Sequence, residues 1–288
     1  MQIQRLCIIG VGLIGGSVAL AAKARGLCRE IIGVDLDGEN LLQAVELGVI
    51  DDACVDVREG AEYADGVVIA TPVGSVRQVF ESLRPVWSER AFYTDVGSTK
   101  SSVVKAAEAV FGEVPKNFVP AHPIAGRELS GVSAATVDLF LGKRVILTPL
   151  PVTQIRALEQ VRQFWKSFGA EIHDMSVAHH DHVLAATSHL PHVIAFALTH
   201  MLGRKDEKDE IFQYAAGGFK DFTRIASSDP GMWTDICLAN QKEVLAYLRQ
   251  FEQALKEFGD KLEQADWQVI HDFFAEAKAA RQRFLDQQ

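Results

Sequence analysis

Two polar residues, Ser98 and His122, each follow an apolar run of the kind that forms a buried strand. Such a pair could supply the nucleophile and base of a hydrolase, but no Gly-x-Ser-x-Gly turn surrounds Ser98, which argues against that class. A histidine at a strand end could instead take the proton of a hydroxyl group whose carbon gives up a hydride. These residues therefore favour acid–base chemistry in an oxidoreductase.

A third candidate, Arg224, ends the run Phe219-Lys-Asp-Phe-Thr-Arg224, in which charged and aromatic residues alternate. An arginine held in place by aromatic packing can form two parallel hydrogen bonds to a carboxylate. The alternative is a surface arginine with a buried stem, and the pattern alone does not decide between the two.

A cluster of histidines raises the question of a metal site, and its members are His179, His180, His182, His189 and His192. His189 and His192 stand at i and i+3 and could share a metal ion. However, no third ligand completes an established spacing, and Pro191 lies between the pair. We therefore expect no metal, and we expect histidines that are solvated or face a substrate.

The elements that must position these residues begin with a glycine-rich turn. The apolar run 6–9 predicts a buried strand, and Gly10, Gly12 and Gly15 follow it before a predicted helix. These glycines permit a tight turn, close approach of a pyrophosphate and close packing of the helix on the strand. A second predicted strand ends at Asp35, about 20 residues further on, where an acid binds the ribose of a dinucleotide. The sequence therefore predicts a dinucleotide site at the helix N-terminus.

Two other interpretations of this stretch are weaker. The uncharged run 6–22 and the spacing of Gly12 and Gly16 are compatible with a transmembrane helix that dimerises. That run is at the short end for a membrane span, and its glycines dilute its apolarity. A signal peptide is not indicated, since no basic segment and cleavage site flank the run. The remaining alternative is a glycine-rich turn that binds nothing.

The overall charge and the cysteines limit the partners and the compartment. The net charge of −9 argues against nucleic acid and against an anionic membrane surface, both of which attract basic proteins. Cys7, Cys28, Cys54 and Cys237 are scattered without Cys-x-x-Cys spacing. This pattern favours reduced thiols and a cytoplasmic location over a disulfide framework or a zinc site.

Predicted strands and helices alternate over residues 1–174, which indicates an α/β domain with a parallel, doubly wound sheet of the Rossmann type. The predicted strands include runs that end at 95, 122, 148 and 175. Ligands of such sheets bind beyond the carboxyl ends of the strands. The pairs Thr71-Pro72, Gly97-Ser98 and His122-Pro123 follow strands and should line that crevice.

Residues 175–288 contain no convincing strand and read as an all-helical domain. A long apolar segment covers 183–202, with Pro191 ending or kinking a turn. Further apolar residues recur at helical spacing up to Phe284. A helical domain with so many apolar faces often buries some of them against a second copy, so we expect a homodimer.

Six blocks together resemble the prephenate/arogenate (cyclohexadienyl) dehydrogenases of tyrosine biosynthesis. They are Gly10–Ser17, Thr94–Lys100, His122–Gly131, Ser188–His192, Gly217–Ala226 and Ser228–Trp233. The first block is common to many dehydrogenases, whereas the others are specific in combination. The resemblance runs almost from end to end, and it implies an intertwined dimer through the helical domain.

The resemblance assigns the catalytic roles to His122 and Ser98. His122 would be the base at the ring hydroxyl, and Ser98 would bridge that hydroxyl, His122 and the nicotinamide. Arg224 would grip a substrate carboxylate, His192 would contact the pyruvyl side chain and Trp233 would pack nearby. The remaining expected substrate residues are Glu128 and Asp221, at the pocket mouth, and Arg127, whose position varies in the family.

The implied reaction is the NAD-dependent oxidative decarboxylation of prephenate, of arogenate or of both. The residues expected to bind NAD are Gly10, Gly12, Leu13, Ile14, Gly15, Asp35, Thr71 and Pro72. Asp35 should favour NAD⁺ over NADP⁺, because it would repel a 2′-phosphate. An acidic protein that binds a dianion needs local positive charge, and the candidates are Arg224, His192, Arg127 and Lys100.

Two alternatives remain. One is another reductase with a Rossmann half and a helical half, of the pyrroline-carboxylate reductase or β-hydroxyacid dehydrogenase type. These families lack the blocks around His122 and Arg224. The other is a non-enzymatic protein that senses NAD(H), which would keep the glycine turn but has no need of Ser98, His122 and Arg224 together.

Overall fold

The computed structural model describes residues 3–127 and 129–287 of the chain. The chain forms two compact units, Met1–Gln241 and Lys242–Gln288. The first unit holds all the strands and the first eleven helices of the described residues. The proposed functional boundary between residues 174 and 175 stays a prediction.

The sheet that positions the glycine turn has six parallel strands in the order β3-β2-β1-β4-β5-β6. Its strands are β1 (Ile3–Ile9), β2 (Cys28–Val34), β3 (Asp52–Cys54), β4 (Gly66–Ile69), β5 (Phe92–Asp95) and β6 (Phe118–Val119). The central strands are almost wholly buried and apolar, as expected for a sheet covered by helices on both faces. This order confirms the predicted doubly wound fold and puts the switch point between β1 and β4.

The last predicted strands do not continue this sheet, which corrects the expectation of one parallel sheet. A separate sheet contains β7 (Ala121–Pro123), β8 (Arg144–Leu147) and β9 (Glu171–Asp174), and β7 pairs antiparallel with β8. Pro120 separates β6 from β7, and it has no N–H to extend the ladder of the first sheet. Its carbonyl instead accepts a hydrogen bond from Thr148 N over 2.9 Å.

The helices of the first unit alternate with the strands and then follow them. They are α1 (Leu13–Ala24), α2 (Gly38–Glu46), α3 (Val57–Ala61), α4 (Val76–Leu83), α5 (Ser101–Phe111), α6 (Ile155–Ser167), α7 (Val177–Leu184), α8 (Leu190–Gly203), α9 (Lys208–Gln213), α10 (Gly217–Thr223) and α11 (Pro230–Ala239). Helix α1 packs closely on the sheet because its buried face is made of small residues, among them Gly15, Gly16 and Ala19.

The apolar segment 183–202, in which Pro191 is expected to end or kink a turn, is divided by a wider turn just before that proline. Residues Ala185–His189 form a π-helical turn between α7 and α8. Pro191 stands in the first turn of α8, where its missing N–H costs nothing. A π-turn of this kind is frequent at functional sites, and this one buries His189.

The second unit contains two helices, α12 (Gln241–Glu263) and α13 (Trp267–Leu285). The first residue of α12, Gln241, is the last residue of the first unit. Both helices carry large apolar side chains that are mostly exposed in the single chain, including Leu255, Leu262 and Trp267. Within the described residues, no helix combines the length and the apolarity that a membrane span requires.

Candidate active site

A cleft of about 580 Å³ opens at the carboxyl ends of β1, β2, β4 and β5. Seven of the eight residues predicted to bind the cofactor line it, namely Gly10, Gly12, Leu13, Ile14, Asp35, Thr71 and Pro72. The eighth, Gly15, lies beneath the turn, where an added Cβ would overlap the carbonyl oxygen of Gly10. Gly15 therefore lets α1 begin directly against the glycine turn.

The glycine turn fits the phosphates of a dinucleotide. Gly10 has a φ of +94°, and a Cβ there would lie 2.6 Å from the carbonyl oxygen of Ala70. At Gly12 an added Cβ would meet no atom within 4 Å, so this side of the turn is open to a ligand. The N-terminus of α1 has no side-chain cap and no acidic residue in its first turn. Its free N–H groups can therefore bind an anion.

Two polar side chains complete the fit of the cleft to a dinucleotide. The Asp35 carboxylate accepts hydrogen bonds from Val11 N over 2.8 Å and from Asp37 N over 3.1 Å, which fixes it at the end of β2. Thr71 Oγ1 is buried and has no partner among the described residues. A bound cofactor could satisfy this hydroxyl, since buried polar groups are rarely left unpaired.

Some residues expected near the substrate also line the cleft. Ser98, after β5, and Arg127 both line the cleft. Met232 and Ile236 of α11 also line it, so the helical part of the first unit closes over the dinucleotide cleft. The predicted position of Gly97-Ser98 at the sheet edge is confirmed.

His122, in the middle of β7, is partly exposed and is paired with a buried histidine. The Nδ1 atom of His122 lies 2.9 Å from His180 Nε2, and His180 Nδ1 lies 2.8 Å from Asp181 Oδ1. Neither His180 nor Asp181 is appreciably exposed. His122 and Pro123 are not among the described residues that line the cleft, which differs from the position expected for this pair.

The protonation of this chain of residues follows from Asp181. Burial alone would raise the pKa of Asp181, but hydrogen bonds from His180, from Ser101 and from the backbone of Lys100 lower it to about 2. Burial lowers the pKa of His122 well below its usual value, and His180, Lys100 and His189 lower it further while Asp181 opposes them. His122 is therefore neutral at pH 7 and can accept a proton.

Lys100 does not face the cleft, and its predicted part in attracting the substrate is wrong. Its side chain is fully buried, where Nζ pairs with the Asp95 carboxylate and donates to the carbonyl of Ala121 over 2.6 Å. Asp95 also accepts from Ala121 N and Gly97 N. This buried ion pair ties the end of β5 to β7, next to His122.

His189 is the second buried histidine of the site. Asn240 Nδ2 donates to the carbonyl of Asp181 over 2.8 Å and lies 3.2 Å from His189 Nδ1. His189 Nε2 therefore carries the proton, and it makes no hydrogen bond of good geometry with a described residue. Burial lowers the pKa of His189 to about 4, which the Asp181 carboxylate and the Ser98 backbone oppose only in part.

His192 and Trp233 lie together, as the sequence predicts. Their rings stack with centroids 3.8 Å apart, and the Trp233 ring is also 6.2 Å from that of His189. His192 Nδ1 donates to the carbonyl of Ser188 over 2.9 Å. Trp233 Nε1 is buried without a partner among the described residues. The two rings therefore form one stacked unit that contains a buried, unpaired N–H donor.

The remaining predicted residues are less closely tied to this cluster. Asp221 lies on α10, and Arg224 directly follows the last residue of that helix. Both side chains are exposed. Neither belongs to the wall of the cleft, although Ser228 and Asp229 of the same segment do. Glu128 lies outside the described residues. The roles of these three residues stay predictions.

The histidine cluster does not form a metal site in the described part of the chain, where no three His, Cys, Asp or Glu side chains are grouped to hold an ion. His179 and His182 are exposed, whereas His180 and His189 are fully buried. The expectation of solvated or substrate-facing histidines is therefore wrong for His180.

Sequence reasoning missed His180, Asp181, His189 and Asn240 as members of the site. One signal was available, since Asp181 and Leu184 share the helical spacing that buries one face of α7 and carries His180 with it. The contact between His122 and His180 joins a strand to a helix far along the chain. No local pattern predicts such a contact.

Sequence comparison places both halves of the chain in one family. Residues 18–174 match the family model described as "Prephenate dehydrogenase, nucleotide-binding domain", and residues 176–276 match "Prephenate dehydrogenase, dimerization domain". Prephenate dehydrogenase of Bacillus subtilis is 38% identical over 96% of this chain and 75% of its own length. Cyclohexadienyl dehydrogenase of Zymomonas mobilis is 36% identical over 96% of this chain and 95% of its own length.

A solved structure with the same architecture has ligands bound. It is prephenate dehydrogenase from A. aeolicus in complex with hydroxyphenyl propionate and NAD⁺, which is 37% identical to this chain. The two structures superpose with a TM-score of 0.91 over 99% of both chains. The likeness therefore includes the cleft and the helical part that closes it.

Proposed function

This chain belongs to the prephenate dehydrogenase family, and we propose on that basis that it oxidises and decarboxylates a cyclohexadienol carboxylate with NAD⁺. The substrate is prephenate, arogenate or both. Membership of this family favours the proposal over the other reductases with a Rossmann half. The cleft and the paired His122 together favour it over a protein that only senses NAD(H).

The chain holds the cofactor through the glycine turn and the end of β2. The N–H groups at the start of α1 bind the pyrophosphate, and Asp35 accepts hydrogen bonds from the ribose hydroxyls. Thr71, Pro72 and Ser98 lie along the wall that receives the nicotinamide end. When bound, NAD⁺ supplies the acceptor for the hydride that leaves the substrate ring.

His122 is the base of the proposed reaction. Its Nε2 takes the proton of the ring hydroxyl, and Ser98 holds that hydroxyl in place. The ring carboxylate leaves as CO₂, and the gain of aromaticity makes the reaction irreversible. The protein therefore acts mainly by holding the ring and the cofactor in one orientation.

Substrate recognition is assigned to residues around α8, α10 and α11. Arg224 forms a bidentate ion pair with a substrate carboxylate. His192 contacts the side chain of the substrate, and Trp233 packs nearby. Arg127, which lines the same cleft as Ser98, adds positive charge there. The mouth of the pocket is assigned in this proposal to Asp221 and also to Glu128, which is outside the described residues.

The observation that carries the proposal is the pairing of His122 Nδ1, on strand β7, with His180, since the buried Lys100–Asp95 pair ties that strand to the end of β5 at the dinucleotide cleft. The test is an assay of the purified chain with NAD⁺ and either prephenate or arogenate. We expect NADH, CO₂ and the aromatic product in equal amounts, and the ratio of the two kcat/KM values gives the substrate preference. Absence of NADH with both substrates would contradict the proposal.

A homodimer is part of the same proposal. Its support is the match of residues 176–276 to a dimerization domain and the exposed apolar side chains of α12 and α13, such as Trp267 and Phe274. Large exposed apolar surfaces often mark an interface between proteins. Light scattering coupled to gel filtration should give twice the chain mass of 31.6 kDa. A single-chain mass at working concentrations would contradict it.

A cytoplasmic location is also proposed. Its support is that all four cysteines are free thiols, which suits a reducing compartment. Fractionation of cells that produce the full-length protein should recover the NADH-forming activity with the cytoplasm. Recovery in another fraction would contradict this location.

A further inference from the structure

We propose that His180 and Asp181 are positioning residues for the base: they hold His122 in the tautomer with Nδ1 protonated, and they share the proton that Nε2 takes from the substrate. This inference rests on the function proposed above. It assigns a task to two buried residues that the reaction does not otherwise use.

The first step of the argument is the environment of Asp181. Its oxygens accept hydrogen bonds from the backbone N–H groups of Lys100 and Ser101, each over 2.8 Å. These are the first N–H groups of α5, which has no side-chain cap of its own. A carboxylate at a helix N-terminus is stabilised in its ionised form. Asp181 therefore acts only as an acceptor.

The second step follows the hydrogen bonds from Asp181 to His122. Because Asp181 only accepts, His180 Nδ1 must carry a proton and donate it over 2.8 Å. Burial lowers the pKa of His180, so the ring is neutral and its Nε2 is an acceptor. His122 Nδ1 must then carry a proton and donate it over 2.9 Å. The Nε2 atom of His122 is left without a proton, as a base requires.

The third step is the fate of the proton. The O–H bond of the substrate breaks and an N–H bond forms at His122 Nε2, so the ring becomes positive. The Nδ1 proton of His122 can then move to His180 Nε2, which transfers the charge to a ring that is hydrogen-bonded to the Asp181 carboxylate. After the product leaves, the proton returns by the same path and passes from His122 to water. No other reactant is needed.

The surrounding charges agree with this path. His122 faces His180, Lys100, His189 and Asp181, and Asp181 is the only one of these that stabilises a positive His122. His180 faces Asp181, Asp95 and Lys100, of which the two carboxylates stabilise a positive ring and Lys100 opposes them. His180 is thus a better place for the charge than His122.

Two variants separate the two parts of the proposal. In Asp181→Asn the amide can donate to His180 Nδ1, which reverses both hydrogen bonds and puts a proton on His122 Nε2. In His180→Gln the amide can still accept from His122 Nδ1 and donate to Asp181, but it cannot take a proton. His179→Gln, an exposed neighbour on α7, is the matched control.

The first readout is the tautomer of His122, measured by ¹⁵N NMR of the full-length protein labelled at histidine and assigned with His122→Gln. We expect Nδ1–H in the wild type, in His180→Gln and in His179→Gln, and Nε2–H in Asp181→Asn. Because this measurement needs no substrate, it remains decisive if the proposed reaction is not observed. An Nε2–H tautomer in the wild type would overturn the inference.

The second readout is steady-state kinetics with prephenate and NAD⁺ over a range of pH. Loss of the correct tautomer in Asp181→Asn should lower kcat by about 10²–10⁴-fold with little change in either KM. His180→Gln should lower kcat by about tenfold or more and move the acidic limb of the profile. A His180→Gln enzyme with the kcat and pH profile of His179→Gln would overturn the shared proton. If Asp181→Asn does not fold, the wild-type tautomer and His180→Gln decide.

Discussion

The backbone N–H of Gly74 donates a hydrogen bond to Asp235 Oδ2 over 3.2 Å. Gly74 follows β4 in the loop that carries Thr71 and Pro72, and Asp235 lies on α11, whose Met232 lines the same cleft. This contact therefore fixes the distance between the two walls that enclose the proposed cofactor. A side chain at Gly74 would disturb it, since an added Cβ would lie 2.5 Å from Asp235 Oδ2.

Gly74→Ala should weaken NAD⁺ binding without affecting the chemistry. Loss of one hydrogen bond costs about 1 kcal/mol, which corresponds to about a fivefold rise in KM for NAD⁺. Steady-state kinetics with saturating prephenate measure this directly. Asp235→Asn, which keeps an acceptor oxygen, is the control and should be close to wild type. A Gly74→Ala enzyme with normal KM would show that the two walls are held by other contacts.

Asp35 should make the enzyme select NAD⁺ over NADP⁺. Its carboxylate is held at the cleft, where a 2′-phosphate would meet a like charge at a cost of several kcal/mol. We expect kcat/KM to be more than about 100-fold higher with NAD⁺. The exposed neighbour Leu36 also lines the cleft, so the double variant Asp35→Asn/Leu36→Arg should shift the preference towards NADP⁺. Equal efficiency of the wild type with both cofactors would refute this.

The buried pair of Lys100 and Asp95 should be important for stability. Lys100→Met leaves the Asp95 carboxylate buried without its cation, which typically costs about 3–5 kcal/mol. Urea denaturation followed by circular dichroism should show this loss in the free energy of unfolding. Arg77→Ala breaks the exposed pair of Arg77 with Glu81 and should cost less than about 1 kcal/mol. Similar losses in both variants would mean that burial of the pair has no special effect.

The parts of the fold that the sequence predicts are those with local patterns. Strand β1, the glycine turn and Asp35 follow one another along the chain, so their spacing alone specifies the start of a Rossmann fold. The antiparallel pairing of β7 with β8 was missed because the strands look like any other apolar runs. Only the break at Pro120 distinguishes them.

The candidate site also has a part that local sequence patterns predict and a part that they do not. Ser98 could be predicted to lie at the cleft because it follows β5, and parallel strands end at one edge of the sheet. His122 was expected at the same edge, but it lies within β7 of the separate sheet. The chain from His122 through His180 to Asp181 depends on how α7 packs against α5 and β7, and no spacing in the sequence encodes that packing. Lys100 was misjudged for the same reason, since a lysine is rarely fully buried unless it is paired.

Arg224→Ala should raise the KM for prephenate more than it lowers kcat. The carboxylate is bound before the hydride moves, so its loss affects substrate binding first. Hydrogen bonds to charged groups contribute about 1.5–3 kcal/mol, which predicts about a 10- to 100-fold rise in KM. Arg224→Lys should recover only part of this, because an ammonium cannot fork a carboxylate. Arg156→Ala, at an exposed site on α6, is the control.

An unchanged KM for prephenate in Arg224→Ala would mean that another residue binds the carboxylate. Arg127 would then be the first residue to test, because it lines the same cleft as Ser98. The KM for NAD⁺ should stay the same in every one of these arginine variants except those of Arg127.

The most direct test of the account is the pH dependence of kcat/KM for prephenate in the wild type and in His122→Asn. The base acts when neutral, and burial with His180, Lys100 and His189 nearby lowers its pKa well below 6.5 while Asp181 opposes them. The wild-type value should therefore stay level as pH falls through 6.5 and decline only below it. His122→Asn should keep cofactor binding but lose turnover by about 10²–10⁴-fold and lack this acidic limb. Near-normal turnover in His122→Asn, with the same acidic limb, would contradict the assignment of His122 as the base.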